Sequence, residues 1–140
     1  VALLTDELVV VCAPELAARL PAGDAAAHAA LAGLLVLESD LTSSATGAYI
    51  RGTLGALRKA AIYDDPRLLL DAALRGRGLA LLSALLADDA LASGTLCRLA
   101  AYPARPAGTI WISRTAGDPR SPLVKGVFDS LLRYAEARGR

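Results

Sequence analysis

Short apolar runs alternate with segments of helical periodicity along the whole chain. Runs of this length, rich in Val, Leu and Ile and bounded by Gly, Pro or polar residues, predict strands. The predicted strands are 7–13, 34–37, 60–63, 79–82, 95–100 and 109–113.

Helix start and stop signals lie between these runs. Pro14 opens a short helix, and Asp24 is a good N-cap for the Ala-rich segment up to residue 31. A weaker helix carries Tyr49, Ile50 and Leu54. The pattern indicates three further helices, from 64 up to Gly76, from 83 up to Gly94, and from 121 toward Arg140.

Each of the last three helices has its own boundary signals. Asp64-Asp65-Pro66 combines a cap with a proline near the first turn, and Ser83 caps the middle helix. Ser121-Pro122 opens the last helix. Gly76 and Gly94 end the first two. Arg133, Arg138 and Arg140 suit the negative end of the last helix.

Strands that alternate with helices over short connections predict an α/β fold, with a mostly parallel sheet covered by helices on both faces. The alternation breaks at 102–108, where two prolines and no periodicity indicate a crossover. Everything after this crossover is expected to belong to a different lobe.

Composition narrows the function classes. The 140 residues suit a single core, and 54% hydrophobic residues exclude a disordered chain. The net charge of +1 shows no basic face of the kind that binds nucleic acid. No apolar stretch reaches the ~18 residues of a membrane span. The chain lacks Met and starts at Val1 without a leader, so we interpret it as part of a longer protein.

The two cysteines and the single histidine give little chemistry. Cys12 and Cys97 lie in apolar, strand-like runs, so we expect both to be reduced and buried, as in a cytoplasmic protein. A single disulfide in a secreted domain is the alternative. His28 has no Cys or His at ligand spacing, so no metal site is predicted.

No catalytic constellation or cofactor motif stands out. G-x-S-x-G and the P-loop are absent, and Gly76-Arg77-Gly78 precedes a strand instead of following one. Adjacent carboxylates such as Asp88-Asp89 do not face each other on a helix. We therefore expect neither an enzyme nor a bound cofactor.

Polar residues follow three of the predicted strands. They are Thr42, Ser43 and Ser44 after one strand, Tyr63 and Asp64 after the next, and Ser83 after the third. Small ligands bind at the carboxyl ends of parallel strands, where helix N-termini present backbone N–H groups. Each residue taken alone is better explained as a helix cap. Together they predict a site for a small polar or anionic molecule.

The stretch YDDPRLLLDAALRGRGLALLSALLADDALASGTLCRL, residues 63–99, resembles the effector-binding domain of LysR-type transcriptional regulators. The shared order is a helix with Ala72-Ala73, then Gly76 and Gly78, an apolar strand at 79–82, and a helix that ends at Ala92-Ser93-Gly94-Thr95-Leu96. Residues 8–17 are similar to the strand that leads into the family's second subdomain, and 110–132 to its returning strand and C-terminal helix.

The chain also departs from the family pattern. Members often have Pro where this chain has Ser83, and tryptophans common in one branch are missing near Tyr49. The family's N-terminal winged helix-turn-helix and the first half of its first subdomain have no counterpart here.

The resemblance implies two α/β subdomains of the periplasmic-binding-protein kind, with a small effector in the cleft between them. Residues 13–101 would be the second subdomain, and 102–140 the crossover, strand and C-terminal helix of the first. The effector-facing residues implied are Cys12, Ser43, Ser44, Tyr63, Asp64 and Ser83. No metal or cofactor is implied.

The resemblance implies that the whole protein is a cytoplasmic bacterial regulator without membrane contact. It would be a homodimer or homotetramer and would contact DNA only through the N-terminal domain that this sequence lacks. Without its missing half, the last helix should expose apolar surface at Val124, Val127, Phe128 and Leu131.

Two other functions share this architecture. A solute-binding protein of a transport system would carry a secretion signal upstream and act as a monomer. An enzyme on the same scaffold would need an acid, base or metal constellation in the cleft.

Overall fold

The computed structural model describes residues 1–117 and 120–138, which form two compact units. One contains residues 7–105, and the other contains 1–6 together with 106–117 and 120–138. Arg140 lies outside the described residues. The strands are β1 (Ala2–Cys12), β2 (Leu34–Leu37), β3 (Lys59–Tyr63), β4 (Leu79–Ser83), β5 (Cys97–Arg98) and β6 (Arg105–Trp111).

Seven helices are formed by the described residues. They are α1 (Pro14–Ala17), α2 (Ala25–His28), α3 (Glu38–Thr42), α4 (Ser44–Gly52), α5 (Pro66–Leu74), α6 (Ala84–Ser93) and α7 (Ser121–Ala137). None of these helices is both long and apolar enough to span a bilayer.

The caps predicted from the sequence are in place. Asp24 accepts a hydrogen bond from Ala26 N at 3.1 Å, and Asp65 accepts one from Arg67 N at 2.9 Å. Gly94 follows α6 at φ +77°, the left-handed conformation that ends many helices. Gly76 has the same conformation after α5, at φ +74°.

The sheet in the larger unit has the strand order β3-β2-β4-β1-β5. β2 runs parallel to both β3 and β4, whereas β1 is antiparallel to β4 and β5. The α/β class is confirmed. Parallel pairing, expected for most of the sheet, is confined to the three strands joined by helices, and the sheet is mixed.

Helices cover both faces of this sheet, as predicted, because alternate strand residues point to opposite sides. Val10, Leu34 and Leu81 face the core formed with α1, α2 and α4. Val11 and Leu82 face the second core, which is formed with α5 and α6. These two layers hold the ends of the parallel strands in fixed register.

Several elements differ from the prediction. β1 begins at Ala2 instead of residue 7, and the short helix α3 was not predicted. α2 ends at His28 instead of residue 31. β5 is shortened because the N–H groups of Thr95 and Leu96 both bond the carbonyl of Ala90, which closes α6 instead of extending a strand. β6 begins at Arg105, inside the predicted crossover. Pro106 is tolerated there because β6 pairs only with β1.

The smaller unit contains β6, α7 and the start of β1. Val1 and Ile112 exchange two backbone hydrogen bonds, of 3.0 and 2.9 Å, as in an antiparallel pair. The guanidinium of Arg114 lies 5.6 Å from the ring centroid of Phe128. Leu123 on α7 is 69% exposed and Val127 is 54% exposed.

Candidate functional site

The carboxyl ends of β2, β3 and β4 form one edge of the larger unit. Leu37 lies opposite Tyr63, and Leu35 lies opposite Ala80, which places Leu82 level with Leu37 and Ser83 one residue further. The residues that follow these strands therefore leave the sheet at the same end of the strands. We call this end of the sheet the carboxyl edge.

Two of the predicted site residues cap helices at the carboxyl edge. Ser43 Oγ accepts a hydrogen bond from Thr46 N at the start of α4, and Ser83 Oγ accepts one from Leu86 N at the start of α6, both at 3.4 Å. The Ser43 hydroxyl, which accepts in this way, still has its own hydrogen to donate. The capping role does not exclude ligand binding.

Ser44 and Asp64 are both exposed at this edge. Ser44 is the first residue of α4, and Asp64 immediately precedes Asp65, the N-cap of α5. The edge thus combines the first turns of α4, α5 and α6 with hydroxyl and carboxylate side chains. Helix N-termini carry partial positive charge, which favours anionic groups nearby.

Tyr63 ends β3 at the carboxyl edge, but its side chain lies on the side of the sheet that α5 covers. There it borders a surface cavity of about 240 Å³ with Leu68 of α5 and with the cationic side chains of Arg75 and Arg77. Its backbone is level with the other site residues, whereas its ring faces a different part of the surface.

Cys12 lies at the other end of the sheet. Because β1 runs antiparallel to β4, Leu8 is opposite Ser83 and Val11 is opposite Ala80. Cys12 is 0% exposed, and this burial raises the pKa of its thiol to about 11. The structure brings Ser43, Ser44, Asp64 and Ser83 to one edge and separates Cys12 from them.

Asp40 of α3 was not predicted from the sequence. Its Oδ2 atom is buried and has no hydrogen-bond partner among the described residues. Burial raises the pKa of this carboxyl, while the positive charge of Arg105 acts in the opposite direction. An acidic residue in the short helix after β2 was the only sequence signal for it.

The sequence pattern places Tyr49 in a helix, α4, and predicts no further role for it. Its hydroxyl donates a 2.7 Å hydrogen bond to the carbonyl of Pro103. Pro103 lies in the segment 102–105, through which the chain leaves the larger unit. This hydrogen bond therefore connects α4, whose N-cap is Ser43, to segment 102–105. No local pattern reveals a contact between residues so far apart in sequence.

Within 1–117 and 120–138, no three His, Cys, Asp or Glu side chains are grouped so as to hold a metal ion. The chemistry available at the carboxyl edge is hydrogen bonding and charge. This arrangement can bind a small polar molecule.

The family model for the LysR substrate binding domain matches residues 1–136. Among solved structures, the chain is similar to the effector domain of the transcriptional regulator AmpR of Pseudomonas aeruginosa, with 24% identity and a TM-score of 0.71. The similarity covers 100% of this chain and 65% of that one.

Two further structures show the same fold. The AmpR effector binding domain from Citrobacter freundii is 18% identical, with a TM-score of 0.69, and 98% of this chain covers 67% of that one. The regulatory domain of CrgA, a LysR-type regulator from Neisseria meningitidis, is 19% identical with a TM-score of 0.67, at 96% and 67% coverage. No curated protein matches the chain significantly.

Proposed function

Because this chain belongs to the LysR substrate binding domain family, we propose that it is the ligand-sensing domain of a LysR-type transcriptional regulator. The observation that carries the proposal is the family match over residues 1–136. A two-faced α/β unit with hydrophilic residues at the carboxyl edge is suited to binding, and we propose that the domain catalyses no reaction.

The larger unit, residues 7–105, is proposed to be the second subdomain of such a domain. The smaller unit would supply the last strand and C-terminal helix of the first subdomain. The chain spans 65% of the AmpR effector domain from Pseudomonas aeruginosa, so about a third of that structure has no counterpart here. We propose that the remainder of the first subdomain covers the exposed face of α7.

The proposed effector site lies at the carboxyl edge. Ser43, Ser44, Asp64 and Ser83 would contact a small polar effector there, and the helix N-termini favour an anionic group on it. Contact of Tyr63 and Cys12 with the effector stays a prediction. A ring facing α5 and a thiol buried at the opposite end both need a rearrangement to reach the same molecule.

The proposed mechanism is a population shift. An effector that binds one arrangement of the regulator better than another shifts the equilibrium by its differential affinity. In a cytoplasmic dimer or tetramer, the shift would change how separate helix-turn-helix domains sit on DNA half-sites. The domain described here would contact DNA only through them.

The effector site is tested in the intact regulator with a promoter reporter. Replacing Ser44 with Leu places a bulky apolar side chain at the carboxyl edge without removing a helix cap. Ser44→Leu and Ser43→Leu should abolish the effector response while DNA binding persists. The control is Ser93→Leu at the far end of α6, which should respond normally. An unchanged response in Ser44→Leu removes the carboxyl edge from the proposal.

The regulator assignment itself is tested by sequencing the coding DNA upstream of the Val1 codon. A Met-initiated winged helix-turn-helix and linker helix is the expected result. A signal peptide followed by a first lobe would identify a receptor for a transported solute, and the DNA-related proposals would fall.

A further inference from the structure

Cys12 and Cys97, the two cysteines of the chain, lie directly opposite each other across neighbouring strands. The register of β1 and β5 pairs Val11 with Arg98 and Cys12 with Cys97. Both thiols are free. Residues at positions 12 and 97 are far apart in sequence, so only the fold brings them together.

The two side chains project from the same face of the sheet, because directly opposed residues share a face. Cys12 and Val10 belong to the core beneath α1, α2 and α4, and Leu99 packs against that core from the neighbouring strand. Leu96 belongs to the core on the opposite face. Since side chains alternate, Cys97 points to the side of Leu99 and Cys12.

The backbone pattern sets the distance between them. Leu99 N donates to Val10 O at 2.9 Å, which makes Val11 and Arg98 a non-hydrogen-bonded pair and the next pair, Cys12 and Cys97, a hydrogen-bonded one. Cα atoms in such pairs are about 5.5 Å apart, inside the roughly 4.4–6.8 Å window of disulfides. Their Cβ atoms lie toward the wide end of the roughly 4.5–5.5 Å range, because the closer spacing belongs to non-hydrogen-bonded pairs, so they must approach by about 1 Å to reach bonding geometry.

We propose that Cys12 and Cys97 form a modification site, at which a hydroperoxide converts the two thiols into a reversible disulfide that ties β1 to β5. Strained disulfides have more oxidising potentials and are readily reduced. The strain expected from the Cβ separation makes this bond a reversible modification. The proposal is independent of the effector site and of the regulator assignment.

Cys97 is the residue that reacts with the peroxide. It is partly exposed, whereas Cys12 is fully buried and has its pKa raised to about 11 by burial and by the neighbouring charge of Cys97. The Cys97 thiol releases its proton, and the thiolate attacks one peroxide oxygen. An S–O bond forms, the O–O bond breaks, and the leaving hydroxide or alkoxide takes up that proton to become water or an alcohol. Cys97 is then a sulfenic acid.

Cys12 completes the reaction. Its sulfur attacks the Cys97 sulfur, the S–S bond forms, the S–O bond breaks, and the Cys12 proton leaves with the hydroxide as a second product molecule, water. Two thiols have lost two electrons, and the peroxide has gained them. A dithiol reductant reverses the change by thiol exchange.

Non-reducing peptide mapping of the chain tests the proposal. The chain is treated with hydrogen peroxide at low protein concentration, free thiols are alkylated, and trypsin is added. Cleavage after Arg19, Arg77 and Arg98 releases peptides 1–19 and 78–98, each with one cysteine. The expected product is these two peptides joined, two hydrogen atoms lighter than their sum, and separated again by dithiothreitol.

The variants Cys97→Ser and Cys12→Ala should each lack the joined species. The decisive measurement is on the unmodified sequence, so a variant that folds poorly does not affect the result. Three outcomes overturn the proposal. In the first, Cys97 is oxidised alone and Cys12 can still be alkylated after unfolding. In the second, a disulfide forms only between two chains. In the third, both thiols stay unreacted even when diamide is the oxidant.

Discussion

At the scale of single residues, the buried pair His28 and Tyr102 shows how polar contacts fix the tautomer of a ring. His28 Nε2 lies 2.9 Å from the carbonyl oxygen of Pro21, which only accepts, so Nε2 is the donor in this contact. Nδ1 then serves as the acceptor for the Tyr102 hydroxyl, 2.6 Å away. Both residues are at most 4% exposed. The histidine is therefore a structural group of the first core.

Removing the tyrosine hydroxyl should destabilise the larger unit. Tyr102→Phe leaves the Nδ1 acceptor buried without a donor, which costs roughly 1–3 kcal/mol of unfolding free energy. Urea unfolding at neutral pH measures the change. The control is Tyr134→Phe on α7, where the hydroxyl is exposed and bonds only the Arg138 side chain among the contacts described, so the free energy should barely change. Equal unfolding free energies for Tyr102→Phe and the unmodified chain would contradict the assignment.

Tyr102 also makes the stability of the larger unit depend on pH. Burial is the main cause that raises the pKa of Tyr102 from 10.0 to about 12. The unfolded chain releases this proton first, so the contribution of Tyr102 to stability is complete below pH 10.0 and is lost as the pH rises to about 12. Urea titrations between these pH values should show a smaller decline in Tyr102→Phe than in the unmodified chain. Parallel declines would show that other groups dominate.

At the scale of elements, α6 illustrates how the sequence defines both ends of a helix. Ser83 caps its start, and Gly94 ends it at φ +77°. Side chains with a Cβ rarely adopt this conformation, so Gly94→Ala should destabilise the larger unit by about 1 kcal/mol. Thermal or urea unfolding provides the measurement.

Gly52 in α4 is the matched control for Gly94. It has no positive φ, and a Cβ added there meets nothing within 4 Å. Gly52→Ala should therefore stabilise the chain by about 0.5 kcal/mol, because alanine restricts the unfolded state and favours the helix. Two glycine-to-alanine changes with the same sign would refute the explanation by backbone conformation.

Strand and helix positions were largely readable from the pattern. β2 coincides with the predicted 34–37, and β4 and α6 begin where Gly78 and Ser83 indicated. Strand direction was not readable, because an apolar run has the same pattern whichever way it pairs. β1 runs antiparallel to β4, and this reversal carried Cys12 away from the carboxyl edge.

The placement of the candidate site residues at one edge was predictable in part, for the same reason. Residues that follow parallel strands, such as Ser43 and Ser83, were found from local signals alone. The Tyr49 hydroxyl bond to Pro103 and the buried Asp40 carboxylate depend on elements that are distant in sequence. Their significance follows from tertiary packing, which single-sequence patterns do not encode.

At the scale of the whole molecule, the two units differ in how completely they are packed. In the larger unit, both sheet faces are covered by helices and the central strand residues are buried. In the smaller unit, β6 is exposed along most of its length and Ala135 is the buried residue of α7. A monomeric protein rarely leaves a large apolar surface uncovered. This exposed apolar surface is the one that the proposed covering of α7 would bury.

The apolar face of α7 should therefore make the isolated chain associate. Leu123, Val127 and Leu131 are 69%, 54% and 40% exposed and lie on one side of the helix, whereas Val124 and Phe128, also expected on that face, are half-buried. Light scattering should give a mass above that of the monomer, together with binding of an apolar dye.

The double variant Val127→Lys/Leu131→Lys should reduce both the association and the dye binding, because lysine disfavours burial of that face. Leu68→Lys on α5 is the control, since Leu68 is 55% exposed but belongs to the larger, well-packed unit. A clean monomer without dye binding, or an equal effect of Leu68→Lys, would contradict the proposal that further protein covers α7.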